Sequence, residues 1–224
     1  RESMSRKRAM QDMMDTIQSA RPCILVGTQM LAKGHHFPNV TLVAILDADG
    51  GLFSADFRGP ERMAQMITQV AGRAGRAEKP GQVIIQTHMA EHPLLIELTE
   101  RGYPAIAERE LAEREMAQLP PYRFMALLRA EANQASAAED FLEAALEQAE
   151  MLIGQHNLPD IDLLGPVPSP MERRAGRHRA QLLLQAAQRS ALHQLVHMLV
   201  PMLEQPPQAR KVRWSIDIDP LDMF

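Results

Sequence analysis

Two consecutive prolines, Pro120 and Pro121, separate two halves of the chain that carry different sequence patterns. A proline disfavours helical backbone in the residue before it and lacks the N–H that a helix needs, so the helix predicted over 104–118 must end there. The prolines are also unevenly distributed, with six before position 120 and ten from it onward. We therefore predict two domains, residues 1–119 and 120–224, each long enough to form its own core.

The first half alternates short apolar runs with helical patterns. The runs lie at 23–27, 40–46 and 82–87, and the helical patterns lie at 60–70, 93–101 and 104–118. The runs show no strict alternation of apolar and polar residues, which is typical of strands covered on both faces of a parallel sheet. Strands that alternate with helices indicate an α/β layer. The sequence predicts a parallel sheet flanked by helices.

The second half predicts a different arrangement. Strand patterns lie at 122–132, 161–167, 181–186 and 212–218, with apolar helical faces at 141–153 and 192–202 between them. Ser136 and Glu139 have the spacing of a capping box for the first of these helices. The order β-α-β-β-α-β is that of a ferredoxin-like domain. Trp214 alternates with Ile216, so core packing is favoured for it over stacking on a nucleic-acid base.

Composition excludes several classes of protein. The 224 residues contain one cysteine, Cys23, which excludes a disulfide scaffold and a cysteine-rich zinc site. The net charge of −4 argues against a generally basic nucleic-acid binder, although 20 of the 24 Lys and Arg residues are arginine. No apolar run reaches the ~18 residues of a membrane span. Because the chain has no signal peptide and no such run, we expect a cytoplasmic protein with no membrane association. Because its first residue is arginine and not methionine, we expect it to be a piece of a longer chain.

One segment, Gln69-Val-Ala-Gly72-Arg73-Ala-Gly75-Arg76, follows the helical pattern at 60–70. Two arginines three positions apart project to similar sides of a helix end, and the glycines let backbone approach an anion closely. Such a pair could hold the terminal phosphates of a nucleotide. The alternative is a glycine-arginine turn whose cations are solvated or paired with acidic residues.

A second segment follows the apolar run at 23–27 and contains Thr28, Gln29 and Lys33. It would lie at the carboxyl end of a strand, where open α/β sheets bind ligands. The alternative is an ordinary polar loop. The adjacent pair His35-His36 does not predict a metal site, because neighbouring side chains in extended backbone point in opposite directions.

These two segments resemble motifs V and VI of superfamily-two helicases. The stretches at 46–49, 55–62, 119–121, 164–168 and 211–220 narrow the resemblance to the PriA family of replication-restart helicases. The resemblance implies an incomplete second RecA-like lobe in the first half, with motif VI facing an ATP cleft. It assigns catalytic roles to Gln69, Arg73 and above all Arg76 as an arginine finger, and places Gly72, Gly75 and Asp49 at the ATP site or lobe junction.

The same resemblance implies DNA contacts. Thr28, Gln29 and Lys33 of motif V would lie near the DNA backbone. The second half resembles the family's C-terminal domain, which is similar to ribosomal protein S-ten and contacts branched DNA. Within it four cations fall in seven residues, in a predicted loop that is our candidate for DNA contact or, alternatively, a solvated surface loop. They are Arg173, Arg174, Arg177 and Arg179.

The sequence also departs from the family pattern. It contains no Gly-x-x-x-x-Gly-Lys-[Ser/Thr] loop, no Asp-Glu-x-His stretch and none of the family's zinc-binding cysteines. ATP and magnesium would therefore be shared with a first lobe outside this chain, zinc would belong to the parent protein only, and the fragment alone would be inactive. A dinucleotide enzyme is disfavoured because the glycines at 72–75 follow a helix, whereas a Rossmann fingerprint opens one.

The resemblance thus implies part of an ATP-dependent DNA helicase, a hydrolase that recognises stalled or branched replication forks and starts primosome assembly for DNA replication restart. The implied partners are forked, branched and single-stranded DNA, single-stranded DNA-binding protein and other primosome proteins. A monomer in the bacterial cytoplasm, associated with the nucleoid, is expected. The alternative is a non-catalytic module that binds DNA or protein on its own.

Overall fold

A computed structural model of the chain describes residues 22–27, 40–72, 81–205 and 212–223. Contacts between residues divide the chain into two compact units, Arg1–Glu110 and Leu111–Phe224. This division lies within a helix, about ten residues before the prolines, and the domain boundary at 119/120 remains a prediction.

The first unit contains a two-stranded parallel sheet, as the alternating pattern predicts. Strand β1 (Leu42–Ile45) pairs with β2 (Gln82–Ile85) in the register Leu42↔Gln82 to Ile45↔Ile85. Helices α1 (Asp49–Leu52) and α2 (Gly59–Ala71) connect the two strands. Helices α3 (Pro93–Arg101) and α4 (Tyr103–Met116) follow β2, and Gly102, with φ of 79°, ends α3 as expected of a glycine cap.

The core of the first unit lies along one face of α2. Met63, Ala64 and Ile67 recur at helical spacing and are buried with Leu94 and Leu98 of α3. Burial of apolar side chains on both helices is the main stabilising contribution, at about 25 cal/mol for each Å² removed from water. The opposite face of α2, which includes Gln69, is exposed.

One predicted strand is absent. Residues 22–27 have no strand geometry, and within them Ile24 is 93% exposed and Val26 is 85% exposed. The prediction of a buried strand at 23–27 is therefore wrong for the structure described. A strand requires a hydrogen-bonded neighbour, and an apolar run by itself supplies none.

The second unit has the predicted β-α-β-β-α-β order. Its elements are β3 (Phe124–Ala132), α5 (Ala135–His156), β4 (Ile161–Arg174), β5 (Arg177–Ala186), α6 (Arg189–Glu204) and β6 (Arg213–Ile218). The strands form one antiparallel sheet in the order β4-β5-β3-β6, so β5 lies between the two strands that α5 connects. Strands β4 and β5 are longer than the patterns predicted at 161–167 and 181–186, and they meet in a hairpin.

Helices α5 and α6 cover one face of this sheet. Leu128 of β3 and Leu184 of β5 are fully buried there with Leu142 of α5 and Leu195 of α6. Trp214 packs against this core and its ring stacks on Phe141, with centroids 6.0 Å apart at 30°. The prediction that Trp214 packs in the core is confirmed.

The expected capping box does not form at the start of α5. The residue that precedes the helix is Gln134, which makes no side-chain hydrogen bond to the first turn, and Ser136 lies inside the helix. The helix therefore begins earlier than the pattern predicted, and its first backbone N–H groups receive no side-chain cap.

Candidate functional site

The carboxyl ends of β1 and β2 are joined through Asp49. The Thr87 hydroxyl donates to Oδ1 of Asp49, and the His88 backbone N–H donates to Oδ2 over 3.0 Å. The Met89 backbone N–H in turn donates to Oγ1 of Thr87 over 2.9 Å. The Thr87 hydrogen bond, followed by the His88 N–H, lowers the pKa of the Asp49 carboxyl below its ordinary value. Asp49 is thus an ionised group held where α/β sheets bind ligands.

The last turn of α2 presents two of the residues assigned to motif VI. Gln69 is exposed, and Gly72 forms the C-cap, donating its N–H to the Thr68 carbonyl over 3.0 Å. The carboxyl end of a helix carries a partial negative charge, so a phosphate group there requires nearby cations. The sequence supplies Arg73 and Arg76 directly after this helix end.

Several candidate residues lie outside the described residues. They are Thr28, Gln29, Lys33, Arg73, Gly75 and Arg76. Of the nucleotide candidates, the structure therefore places Gln69, Gly72 and Asp49 only. Within the described ranges, no group of three or more His, Cys, Asp or Glu side chains is arranged to hold a metal ion.

The amino-terminal end of α2 is organised by Asp56, which is not among the candidate residues predicted from the sequence. Asp56 is 1% exposed, and its carboxylate accepts the Arg58 backbone N–H over 3.0 Å. Its second oxygen lies 3.2 Å from Nη1 of Arg62, and its carbonyl accepts the Gly59 N–H over 2.7 Å. Gly59 also allows the chain to pass close to Ser54, because a Cβ at position 59 would lie 2.2 Å from Cβ of Ser54. This network fixes the loop from which α2 begins.

The candidate DNA-contact arginines lie on a β-hairpin. Arg173 and Arg174 end β4, Arg177 begins β5, and Arg174 pairs in register with Arg177. The two turn residues, Ala175 and Gly176, have φ of 49° and 80°, the left-handed backbone that two-residue hairpins favour. The prediction of a loop is therefore wrong: an ordered hairpin presents these side chains from two adjacent strands.

Arg179 differs from the other three hairpin arginines. It is 8% exposed, its Nε lies 3.2 Å from Oε1 of Glu131 on β3, and its Nη1 donates to the Met171 carbonyl over 3.5 Å. Arg173 and Arg174 are exposed and Arg177 is half-buried. Because its charge is buried and compensated, we exclude Arg179 from the candidate surface, which we define as the hairpin arginines Arg173, Arg174 and Arg177.

Three other arginines of the second unit form ion pairs within that unit. The measured pairs are Arg123–Asp162 at 2.8 Å, Arg129–Asp217 at 3.3 Å and Arg189–Asp219 at 3.0 Å. By contrast, no carboxylate of the described residues forms an ion pair with the hairpin arginines or with Arg213. The hairpin arginines and Arg213 therefore lie at the same end of the sheet, and they can bind an anion without first breaking an ion pair within the described residues.

Two protein families match different parts of the chain. The Helicase conserved C-terminal domain matches residues 2–78, and the Primosomal protein N C-terminal domain matches residues 115–221. The Replication restart protein PriA of Haemophilus influenzae is 44% identical over all 224 residues. The proteins of the same name from Bacillus subtilis and Synechocystis are 36% identical over 224 residues and 37% identical over 220 residues.

The chain belongs to the PriA family. It spans only part of its PriA relatives: 30% of the Haemophilus protein, 27% of the Bacillus protein and 25% of the Synechocystis protein, while those matches cover 97–100% of this chain. The resemblance to the PriA family is confirmed. Among the described residues, no helix combines the length and apolar character needed to cross a membrane.

Solved structures give weaker likenesses. The designed protein Foldit4 aligns with a TM-score of 0.33 at 7% identity, covering 45% of this chain and 99% of that chain. A dimeric ferredoxin-like protein from an uncultured marine organism aligns with a TM-score of 0.32 at 12% identity, covering 43% of this chain and 92% of that chain. Scores this low carry no argument about function.

Proposed function

We propose that this chain is part of an ATP-dependent DNA helicase that acts at stalled or branched replication forks and starts primosome assembly for replication restart. The observation that carries this proposal is the match of residues 2–78 to a helicase domain within a chain related over its whole length to PriA proteins. We propose that the first unit is the end of a RecA-like lobe. Its parallel strands, with Asp49 at their carboxyl ends, support that assignment.

In this proposal ATP and magnesium are held between the first unit and a lobe outside the chain. Arg76 acts as the arginine finger, with Arg73 and Gln69 beside it and Gly72 and Gly75 leaving room for the phosphates. The exposed side chain of Gln69 and the exposed position of Gly72 at the end of α2 are consistent with such a contact. When bound, ATP supplies the terminal phosphate whose charge the arginines stabilise. Thr28, Gln29 and Lys33 would contact the DNA backbone.

The second unit would hold the forked, branched or single-stranded DNA. The hairpin arginines have no acidic partner among the described residues, and neutralising DNA phosphates supplies most of the affinity that does not depend on sequence. The remaining proposed partners are single-stranded DNA-binding protein and other primosome proteins. We expect a monomer in the bacterial cytoplasm at the nucleoid, and zinc only in another part of the parent protein.

The arginine finger gives the sharpest test of the motor role. In the full-length protein that contains this chain, Arg76→Ala should lower the DNA-stimulated ATPase rate by about 10³-fold or more, since the positive charge is lost from the transition state. Fork binding should change little. Arg101→Ala is the matched control, because Arg101 is an exposed cation of the same unit and pairs with Glu97 at 2.8 Å. Wild-type turnover by the Arg76→Ala protein would contradict the assignment.

A non-catalytic binding module remains the second candidate, favoured by the hairpin arginines. The two candidates differ in what they expect of the full-length protein. Neither candidate expects the isolated chain to hydrolyse ATP, but only the helicase proposal expects Arg76→Ala to abolish most of the ATPase activity of the full-length protein. ATP hydrolysis by the purified 224-residue chain would contradict both.

A further inference from the structure

A groove of about 640 Å³ lies beside the hairpin at one end of the second unit. Its lining includes Arg177 from the start of β5, Arg213 from the start of β6, and Asn133 and Gln134 from the turn between β3 and α5. Ala137, on the first turn of α5, completes this side of the lining. Arg177 is one of the hairpin arginines, whereas Arg213 lies outside the hairpin, in the stretch 211–220, and is not among the candidate DNA-contact residues.

The groove carries a net positive charge from its side chains. Neither Arg177 nor Arg213 forms an ion pair with a carboxylate in the part of the chain that is described. The nearest acidic group in register is Glu131, opposite Arg213 on the neighbouring strand. Its carboxylate instead pairs with the buried Arg179 at 3.2 Å. The two lining arginines are therefore available to an anion from solvent.

The backbone N–H groups at the start of α5 add hydrogen-bond donors that, like the two arginines, attract an anion. Helix α5 is 22 residues long, its first turn contains no acidic residue, and Gln134 provides no side-chain cap. The first backbone N–H groups of a helix attract an anion, particularly where cationic side chains stand next to them. Asn133 and Gln134 offer further amide N–H donors. Arginine forks, amides and backbone donors together match the oxygens of a phosphate group.

We propose that this groove binds a phosphate of a nucleic-acid backbone, so that a strand held at the hairpin continues past Arg177 to Arg213. This inference rests on the proposed DNA contact and extends it to a second, adjacent phosphate position. Among the described residues that line the groove, none has an aromatic side chain on which a base could stack. Recognition here is therefore of the backbone, and it should be independent of base sequence.

The test uses the whole 224-residue chain and fluorescence anisotropy with two labelled duplexes of equal length and different sequence. Arg213→Gln removes one cation, and Ala137→Glu places a carboxylate in the groove at a helix position where an acidic residue favours the helix. Both should weaken binding to both duplexes. Arg213→Gln should also make the slope of log K against log[salt] shallower by about 1.

Two controls separate the effect of the charge in the groove from the effect of side-chain size and from the loss of a cation elsewhere on the unit. Ala137→Gln has nearly the same size as Ala137→Glu without its charge, and should bind almost as wild type does. Arg189→Gln removes a cation at the opposite end of the sheet, where Arg189 pairs with Asp219, and should leave the slope unchanged. Circular dichroism melting confirms that each variant is folded before its binding is compared.

The outcomes distinguish failure of the groove inference from failure of the proposed DNA contact at the hairpin. If Arg213→Gln and Ala137→Glu bind as wild type does while loss of the hairpin arginines weakens binding, the groove inference is overturned and the DNA contact stands. If Ala137→Gln weakens binding as much as Ala137→Glu, the charge argument is overturned. If Arg213→Gln and Ala137→Glu weaken binding of inorganic phosphate but not of DNA, the inference that the groove binds a nucleic-acid backbone is also overturned. If the wild-type chain binds neither duplex, the proposed DNA contact itself fails.

Discussion

Nε of Arg179 lies 3.2 Å from Oε1 of Glu131 across two neighbouring strands, on the face of the sheet opposite α5 and α6. Arg179 follows Arg177 by two residues, yet the two cations have different environments. Arg179 is buried and compensated, whereas Arg177 borders an open groove without an acidic partner among the described residues. Burial and pairing thus separate arginines that hold the fold together from arginines available for a ligand.

The Arg179–Glu131 pair should contribute to stability. Glu131→Gln leaves the buried guanidinium of Arg179 without its counter-charge, and the free energy of unfolding should fall by about 1–3 kcal/mol, less than for a fully buried pair because Glu131 is partly exposed. Urea denaturation measures the change. Arg173→Gln, an exposed cation of the same hairpin, should change stability by no more than about 0.5 kcal/mol. Equal effects of the two substitutions would contradict the distinction between them.

Asp56 should stabilise the start of α2. Asp56→Asn keeps the shape of the side chain but removes the charge that faces Arg62 at 3.2 Å. Because Asp56 is buried, the opening free energy of the α2 amides should fall by about 1–3 kcal/mol, as measured by hydrogen exchange. Glu100→Gln, on an exposed position of α3, is the control and should leave those amides protected. Unchanged exchange in Asp56→Asn would show that the network is not stabilising.

The pKa of Asp49 should depend on Thr87. The hydrogen bonds lower the folded-state pKa, so their contribution to stability is present above the ordinary value near 3.8 and is lost as pH falls through the lowered folded-state value. Thr87→Val removes the largest cause and should move the titration of Asp49 to higher pH. Carboxyl-carbon NMR measures it. Thr99→Val, which removes a hydroxyl bonded to the Leu95 carbonyl, should leave the Asp49 titration unchanged.

The core between the helices and the four-stranded sheet should be sensitive to loss of volume. Leu195→Ala removes a fully buried side chain and should lower the free energy of unfolding by about 2–5 kcal/mol, through lost burial and the cavity that remains. Met151→Ala, at a position that is 44% exposed on α5, should cost much less. A similar cost for both, measured by denaturant unfolding, would contradict the packing described here.

Local patterns predicted most of the elements. Period-two alternation placed Trp214 on the core side of β6, and helical spacing located the apolar faces of α5 and α6. Pairing between distant strands is not contained in such patterns. The run at 23–27 therefore predicts a strand that has no pairing in the described structure, and the sequence around Ala175 and Gly176 predicts a loop where the structure has a hairpin turn.

The candidate sites show the same limit. Four arginines within seven residues indicated an anion-binding surface, and three of them remain candidates for it. The sequence could not show that Arg179 pairs with Glu131, because that contact depends on the register between β3 and β5. Arg213 was missed for a related reason: only the sheet order brings the start of β6 to the groove beside the hairpin.

The most direct test of the account is the salt dependence of fork binding by the whole chain. Combined substitution of the hairpin arginines, Arg173→Gln, Arg174→Gln and Arg177→Gln, should weaken binding of a labelled fork and make the slope of log K against log[salt] shallower by about 2–3. Arg189→Gln should retain the wild-type slope. Wild-type affinity and slope in the triple variant would contradict the claim that unpaired arginines at this end of the sheet hold the DNA backbone.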